Sequence, residues 1–274
     1  MRADATLTYD VVGCTGIGLK AASGVILDCA GHAVTGTTGT YGIELDTVNG
    51  AVVRNCHVSG FDRGLRIYAG GVNQLIGNET YANRQYGIDL AGATLGNYIE
   101  SNAVHDNLDE GIHVGTGADS NQIVQNQILR NATEDLYILK SSNCTVDGNT
   151  MAGAGSAEIY MKHAQNNTIR NNSVSANPIQ VRGDSSGNVF TNNGLTGDGF
   201  KLEAYDDLVL GCTYPHDNQV SNGSILNASV CFVFSGAYNN LATQVEANGC
   251  TPQVDSASCG RDATGNTVQL IPAP

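Results

Sequence analysis

The stretch YGIDLAGATLGNYIESNAVHDNLDEGIHV, residues 86–114, contains one full period of a repeat and the start of the next. It opens with a Gly-Ile step followed by a second aliphatic residue, and the step returns 24 residues later as EGIHV. Similar steps recur along most of the chain at intervals of 20 to 24 residues. Their apolar members are Ile43, Leu65, Ile88, Ile112, Leu136, Ile159, Ile179 and Phe200. A fixed period of this length is typical of stacked architectures, and it predicts one repeat per turn of a coil.

Asparagines follow the same period in motifs such as NQLIGN, NYIESN and NQIVQN. The residues that end these motifs are Cys29, Asn55, Asn78, Asn102, Asn126, Asn149, Asn172 and Asn193. A further series runs through Asn83, Asn107 and Asn131. Equivalent asparagines on successive turns can form hydrogen-bonded ladders, as they do in other stacked β-structures.

Each repeat has room for two or three short strands with Gly and Asn bends between them. It is too short for a strand–helix–strand crossover and lacks a helical period. Stacked turns would lie about 4.8 Å apart, with aliphatic side chains filling the interior. The pattern therefore predicts an all-β, single-stranded parallel β-helix of about nine to ten rungs.

We expect one β-helix domain over residues 1–274, with regular rungs over residues 14–204. Residues 205–274 lose the period and are predicted to form irregular last rungs and a C-terminal cover. A β-helix end exposes unpaired strand edges, so a cover pinned by disulfides is expected there. We predict a Cys250–Cys259 disulfide and a Cys14–Cys29 disulfide among the many pairings that eight cysteines allow.

Composition excludes several classes of protein. The chain of 274 residues has 34 Gly, 28 Asn, no Trp and 14% charged residues, which opposes helix bundles and coiled coils. Its apolar runs are only a few residues long, so no membrane span is predicted. The net charge of −13 disfavours nucleic acid and anionic membranes as partners. We expect a monomer.

Cysteine use indicates the compartment. Eight cysteines without a CxxC pair indicate disulfides of a secreted, extracellular or periplasmic protein rather than a metal site. The first residues lead into strand-like alternation and carry no apolar core of a signal peptide, which suggests a mature or trimmed chain.

The segment GVILDCAGHAVTG at 24–36, the YGIELD unit and the units of the N-x-I-x-x-N type resemble a known family. They are similar to right-handed parallel β-helix proteins of the NosD-like, carbohydrate-binding and sugar-hydrolase repeat class, in the pectin-lyase-like superfamily. The resemblance covers about residues 14–226 and implies that fold. That class includes lyases, hydrolases, C5-epimerases and non-enzymatic modules. The chain lacks the opening GDG segment and the YGFDPH motif of the epimerases. The segment most similar to YGFDPH is YGIDLA at residues 86–91.

The residue between the two aliphatics of each step is predicted to point outward, because side chains alternate along a strand. This series reads Glu44, Arg66, Asp89, His113, Tyr137, Tyr160, Gln180 and Lys201. We expect the position two residues earlier, Gly in three units and then Asp135 and Glu158, to point outward as well. The position two residues later includes Tyr68, Lys162, Arg182 and Glu203. The predicted surface is a groove of small residues beside a titratable row.

Such a groove suits a polysaccharide, and two mechanisms stay open. In the first, a uronate polysaccharide lyase or C5-epimerase, Asp89, His113 and Tyr137 form an acid–base relay. Substrate binding would then fall to Arg66, Tyr68, Tyr160, Lys162, Arg182 and Lys201. In the second, Asp135 and Glu158 are the carboxylate pair of a glycoside hydrolase. A non-catalytic glycan-binding or structural module is the third reading, because ladders of aromatic and charged side chains also stabilise sheets.

No cofactor is required by these mechanisms. The acidic bend with Asp106, Asp109 and Glu110 offers oxygen ligands for Ca²⁺, although such bends more often satisfy backbone groups. His163 is a further candidate at the edge of the groove, and the remaining histidines are expected at turns or on the surface.

Overall fold

The structure, a computed structural model, describes residues 2–207 and 209–272. The chain coils into a parallel β-helix, and each turn contributes one short strand to each of three faces. The strands pair in parallel with their equivalents on neighbouring turns, and those at the two ends of the coil pair on one side only. One antiparallel hairpin departs from this pattern. The described residues contain no helix, and hence none that could cross a membrane.

The first face, called here the ridge sheet, has eleven strands. They are Ile17–Lys20, Tyr41–Asp46, Arg63–Tyr68, Ile88–Ala91, Ile112–Val114, Glu134–Leu139, Ala157–Lys162, Ile179–Arg182, Phe200–Glu203, Val230–Ser235 and Thr251–Ser256. Nine of these strands fall within residues 14–204, as the period predicts. The total exceeds nine to ten because the chain resumes the coil after residue 213 and adds two more turns.

The second face follows each ridge strand. Its strands are Ala5–Thr6, Ile26–Asp28, Val52–Arg54, Gln74–Ile76, Tyr98–Glu100, Gln122–Val124, Thr145–Asp147, Thr168–Arg170, Val189–Thr191 and Gln219–Ser221. The third face has the strands Val11–Cys14, Ala33–Gly36, His57–Ser59, Glu79–Tyr81, Ala103–His105, Gln127–Leu129, Thr150–Ala152, Ser173–Ser175, Gly194–Thr196 and Ser224–Leu226. Two longer strands, Leu241–Asn248 and Thr267–Pro272, run across both faces at the C-terminal end.

Apolar side chains fill the interior of the coil. Leu65, Ile67, Ile88 and Leu90 are fully buried, and their equivalents on other turns stack above and below them. Toward the C-terminal end the aliphatic column gives way to aromatic rings, and Phe200 stacks on Phe232 with centroids 5.4 Å apart. Burial of this kind contributes about 25 cal/mol per Å² of apolar surface, which stabilises each turn through its neighbours.

Asparagine ladders lie at the bends as predicted. Nδ2 of Asn78 donates to Oδ1 of Asn102 at 3.0 Å, and this pattern continues through Asn126. The expected place of Asn55 in this ladder is wrong. The backbone N–H of Cys56 donates to Oδ1 of Asn78, so Cys56 is the residue in line. Asn55 takes the preceding bend position, where its backbone is left-handed with φ of 54°.

The predicted disulfide pairings are wrong, although the pinned C-terminal cover is confirmed. The pairs are Cys29–Cys56, Cys212–Cys259 and Cys231–Cys250, so Cys250 does not pair with Cys259 and Cys14 does not pair with Cys29. Cys14 and Cys144 are free thiols. The physical reason is the coil itself, which brings together residues that lie about one period apart in sequence. The Cα atoms of Cys231 and Cys250, for example, are 5.5 Å apart across one turn.

The hairpin Tyr205–Asp207 and Gly211–Thr213 leaves the coil beside the ridge sheet. Its second strand carries Cys212, which joins it to Cys259 in the C-terminal cover. The hairpin is therefore the irregular segment that interrupts the sequence period.

Candidate functional site

The outward series of the ridge sheet is in register on successive turns. Asp89 pairs with Arg66 on one side and with His113 on the other, and Tyr137 pairs with His113 and Tyr160. We call the series from Glu44 to Lys201 the ridge. Strand spacing of about 4.8 Å therefore separates adjacent members, as the sequence predicts.

Asp89 and His113 form the central contact of the ridge. Nδ1 of His113 lies 3.0 Å from Oδ1 of Asp89, whose side chain is buried. Nη1 of Arg63 lies 3.1 Å and Nε of Arg66 lies 3.5 Å from the other carboxylate oxygen. Two cations and an imidazole thus fix the carboxylate, and the carboxylate fixes the orientation of the imidazole.

A row of aromatic rings continues from this contact. Tyr86 stacks on His113 with centroids 4.5 Å apart, and Tyr137 lies 5.7 Å from His113 on the far side. Tyr160 stacks on Tyr137 at 5.0 Å. Burial raises the pKa of the Tyr86 phenol to about 12 and raises that of Tyr137 still further. Both phenols are therefore protonated at neutral pH, and each can donate a hydrogen bond.

The N-terminal end of the ridge is a network of alternating charges. Glu44 bridges Lys20 at 2.8 Å and Arg66 at 3.4 Å. The guanidinium of Arg66 also lies over the rings of Tyr41 at 4.4 Å and Tyr68 at 4.6 Å. Tyr68, with 40% of its surface accessible, and Lys20 are the exposed members of this group.

The C-terminal end carries the other predicted cations. Nη2 of Arg182 lies 2.7 Å from Oε2 of Glu203, and Nζ of Lys201 lies 2.8 Å from Oδ2 of Asp198. The ammonium of Lys162 lies 3.6 Å from the ring centroid of Tyr205 in the hairpin. The predicted substrate-binding residues thus lie along one face, and Arg66, Arg182 and Lys201 already have carboxylate partners.

Asp135 and Glu158 are not on the outward surface, and that prediction is wrong. Both side chains are fully buried inside the bend. Oδ1 of Asp135 accepts a hydrogen bond from Nδ2 of Asn131 at 2.8 Å, and Oε1 of Glu158 accepts one from the backbone N–H of Gly153 at 2.8 Å. Neither carboxyl group is therefore accessible at the surface.

These two residues are buried because of the direction in which their position points. We call the set of equivalent positions on successive turns a column. A Cβ atom added to Gly87 would lie 2.7 Å from Nδ2 of Asn107, so this column faces the ladder rather than solvent. The ladder continues to Asn131. The equivalent residue on the next turn is Ala154, and its side chain has no amide group to continue the ladder. Asp135 supplies the acceptor that the alanine lacks.

The acidic residues in the bend before His113 differ in their exposure to solvent. Asp106 is exposed and pairs with Arg130 and His105, and these contacts lower its pKa to about 2. Glu110 is 6% exposed, and burial followed by the charge of Asp109 raises its pKa to about 8. Within the described residues no group of three His, Cys, Asp or Glu side chains is arranged to hold a metal ion. The Ca²⁺ site stays a prediction.

His163 lies beside the hairpin rather than in the open groove. Its Nδ1 is 2.5 Å from Oδ1 of Asp184, and its Nε2 is 3.5 Å from Oδ2 of Asp207. The ring of Tyr205 packs edge-on against it at 6.1 Å. His163 is buried beneath these groups and supports the hairpin that borders the ridge.

Sequence reasoning missed Arg63, Tyr86 and Glu110 as members of this site. They occupy one column, three residues before the ridge position on successive turns. The strand bends between the two columns, so the earlier column leans over the ridge instead of facing away. Its composition was the available signal, since it places an arginine, a tyrosine and a glutamate on adjacent turns.

Comparison with known proteins agrees with the fold. A family model described as "Right handed beta helix region" matches residues 9–133. A second, described as "Periplasmic copper-binding protein (NosD)", matches residues 93–206. No curated protein matches the sequence.

Solved structures of similar shape include several alginate-active proteins. A variant of the periplasmic alginate epimerase AlgG is 15% identical with a TM-score of 0.62, and the match covers 86% of this chain and 70% of that one. The A-module of an Azotobacter vinelandii mannuronan C-5 epimerase is 14% identical over 99% of this chain and 89% of that one, with a TM-score of 0.56. An alginate lyase from Paenibacillus sp. str. FPU-7 is 12% identical over 95% and 90%, with a TM-score of 0.55. At these identities the likeness establishes the fold alone.

Proposed function

We propose that this protein, a right-handed parallel β-helix of the class that these family models and structures define, acts on a polysaccharide bound along the ridge. The proposed activity is that of a uronate polysaccharide lyase or C5-epimerase. The observation that carries the proposal is the hydrogen bond between His113 and Asp89 within a row of tyrosines. Polysaccharide-active neighbours of the same fold support the substrate class.

His113 is the proposed base. With the Nδ1 proton donated to Asp89, the second ring nitrogen carries the lone pair and can accept a proton from the sugar. Asp89 stabilises the imidazolium that forms, because its negative charge lies 3.0 Å from the ring. The ion pairs with Arg63 and Arg66 keep Asp89 in place during this step.

Tyr137 is the proposed acid. The base removes the proton at C5 of a uronate, and the electron pair moves toward the substrate carboxylate. One of the predicted substrate-binding cations, Arg66, Lys162, Arg182 or Lys201, neutralises that carboxylate. If Tyr137 protonates the glycosidic oxygen as the C4–O4 bond breaks, the product has a C4–C5 double bond. If a phenol instead returns a proton to the opposite face of C5, the product is the epimer.

A non-catalytic glycan-binding module is the second candidate. The stacked rings of Tyr137 and Tyr160, with centroids 5.0 Å apart, offer a platform for sugar rings without any chemistry. The ion pairs of Arg66 and Arg182 favour this reading, because each cation is already neutralised by a carboxylate. No contact on the ridge favours the hydrolase alternative, since Asp135 and Glu158 are inside the bend.

Export is part of the proposal. Three disulfides suit an oxidising compartment, such as the periplasm or the extracellular space.

One screen tests these functions. The intact protein is incubated with a panel of uronic and neutral polysaccharides, and unsaturated products are followed by ultraviolet absorbance, C5 inversion by NMR and new reducing ends by chemical assay. Absorbance or inversion on a uronate polymer supports the lyase or the epimerase, respectively. Reducing ends without unsaturation would overturn both, and saturable binding without any product would favour the glycan-binding module.

A further inference from the structure

Lys162 differs from the other predicted substrate-binding cations, because within the described residues it has no carboxylate partner. Arg66, Arg182 and Lys201 each pair with a carboxylate. Nζ of Lys162 instead lies 3.6 Å from the ring centroid of Tyr205. An aromatic ring attracts a cation without cancelling its charge, so the ammonium of Lys162 keeps a positive charge that an anionic ligand can meet.

The hairpin that carries Tyr205 holds this ring in place. Oγ1 of Thr213 donates a hydrogen bond to the carbonyl oxygen of Tyr205 at 3.1 Å, across the two strands of the hairpin. Cys212 joins the same hairpin to the C-terminal cover. Because the ring is fixed and Lys162 is half-buried, the ammonium is pre-organised at the edge of the ridge.

Strand register sets the distance between Lys162 and His113. His113 pairs with Tyr137 on the next turn, and Tyr137 pairs with Tyr160 on the turn after that. Lys162 lies two residues beyond Tyr160 on the same strand, so both side chains are on the same face. Two strand spacings, about 10 Å along the coil, therefore separate its turn from that of His113. The units of an extended polysaccharide repeat at nearly the strand spacing, so two units of a bound chain span this distance.

The ammonium of Lys162 reaches toward the C-terminal end of the ridge, away from His113. It contacts Tyr205, and the hairpin that carries Tyr205 follows the ridge strand Phe200–Glu203, two turns beyond Lys162. A carboxylate that binds Lys162 therefore belongs to a sugar unit other than the one whose C5 proton faces His113.

We propose that Lys162 binds the carboxylate of a second uronate, two units away from the reacting one. The ridge then favours chains whose uronates lie two units apart over chains in which uronates are isolated. This inference rests on the proposed function, because it takes His113 as the position of the reacting unit.

Binding measurements without turnover test the inference. Every variant carries His113→Gln, and calorimetry measures affinity for hexamers of mannuronate and of galacturonate, with carboxyl groups intact or reduced to neutral alcohols. Lys162→Met keeps the aliphatic stem and removes the charge. It should weaken binding of an intact hexamer by about tenfold, as expected for one charge-assisted hydrogen bond, and leave binding of the reduced hexamer unchanged. Lys162→Arg should restore most of the affinity, which a merely structural effect would not do.

The matched control is Lys140→Met. Lys140 follows Leu139, the residue that pairs with Lys162 from the preceding turn, and its side chain is exposed on the bend. We expect its loss to change affinity by less than about twofold, because salt screens an exposed charge. Equal losses in the two variants would indicate a general attraction for anions and would overturn the inference. So would an unchanged affinity in Lys162→Met, or an equal loss for the reduced hexamer. If neither intact hexamer binds the His113→Gln parent, the proposed uronate substrate fails, and the role of Lys162 fails with it.

Discussion

Nδ1 of His113 lies 3.0 Å from Oδ1 of Asp89, and the two residues are directly paired in adjacent strands of the ridge sheet. The contact is therefore set by backbone register rather than by a loop. Rigid strands hold the two groups in hydrogen-bonding position without a bound ligand, which is the pre-organisation that acid–base catalysis requires.

Replacing His113 with Gln should remove the base while leaving the fold intact. We expect kcat to fall by about 10²-fold or more, with little change in melting temperature because the side chain does not fill the core. His105→Gln is the matched control, since that imidazole also contacts carboxylates but lies on the third face. Equal activity of the two variants on a confirmed substrate would contradict the assignment of His113.

Tyr137→Phe separates catalysis from binding. The variant lacks the phenolic O–H but keeps the ring that stacks on Tyr160. If Tyr137 is the acid, turnover should fall by about 10²-fold while affinity for the polymer stays close to wild type. Tyr137→Ala should weaken binding as well, because the stacking platform is lost. Affinity lost equally in both variants would show that the hydroxyl serves binding.

The order of the ridge could be predicted from sequence because a strand alternates sides and the period aligns equivalent positions on every turn. That reasoning places Asp89 beside His113 and His113 beside Tyr137. It fails for Asp135, whose column follows a bend where strict alternation does not hold. It also misses Tyr86, which leans over the ridge from the same bend.

The cysteine pairing was predicted wrongly for a related reason. Spacing in sequence suggested Cys250 with Cys259, yet in a coil the shortest path between two residues runs across a turn. Cys231 and Cys250 are 19 positions apart, close to one period, and they meet on adjacent turns. The period that identified the fold thus contained the information for this pair.

Asp135 should control stability rather than turnover. Burial, and then the hydrogen bond to Glu158, raise the pKa of Asp135 well above its ordinary value. The folded state therefore binds a proton that the unfolded state releases near pH 4, so stability is full at lower pH and declines as pH rises toward the raised pKa. Asp135→Asn cannot titrate, and its melting temperature should decline less between about pH 5 and 9 than that of wild type.

Turnover of Asp135→Asn and Glu158→Gln at a temperature where both are folded should match wild type. A dead but stable variant at either position would revive the hydrolase reading, because only direct chemistry would then explain the loss.

The Cys212–Cys259 disulfide should hold the hairpin and the C-terminal cover. Mass mapping of native protein is expected to find this pair together with Cys29–Cys56 and Cys231–Cys250. The double variant Cys212→Ser/Cys259→Ser should lose about 2–4 kcal/mol of stability. Its exposed strand edges should also promote aggregation. Free thiols at Cys212 and Cys259 in native protein would contradict this account of the cover.

Cys144 interrupts an asparagine ladder, and restoring the amide should stabilise the protein. Nδ2 of Asn97 donates to Oδ1 of Asn121 at 2.9 Å, and on the far side Asn167 and Asn188 continue the series in the same way at 3.0 Å. Cys144 occupies the position between the two halves.

The surroundings of Cys144 already suit an asparagine. Its backbone N–H donates to Oδ1 of Asn167 at 2.8 Å, and its Sγ lies 3.3 Å from the carbonyl oxygen of Ala118, where a ladder amide would donate. The thiol is buried and forms no disulfide, and burial raises its pKa to about 11. Cys144→Asn adds an acceptor for Asn121 and a donor to Ala118 in nearly the same volume. Each buried hydrogen bond is worth about 1 kcal/mol, so the melting temperature should rise.

Cys144→Ala is the matched variant, because it removes the thiol without supplying an amide. We expect it to be less stable than wild type, since the lost sulfur leaves a small cavity in the column. The comparison is made by thermal unfolding of the three proteins with their three disulfides intact. A Cys144→Asn variant that melts at or below the temperature of Cys144→Ala would contradict this prediction. It would show that an asparagine at position 144 does not join the two halves of the ladder.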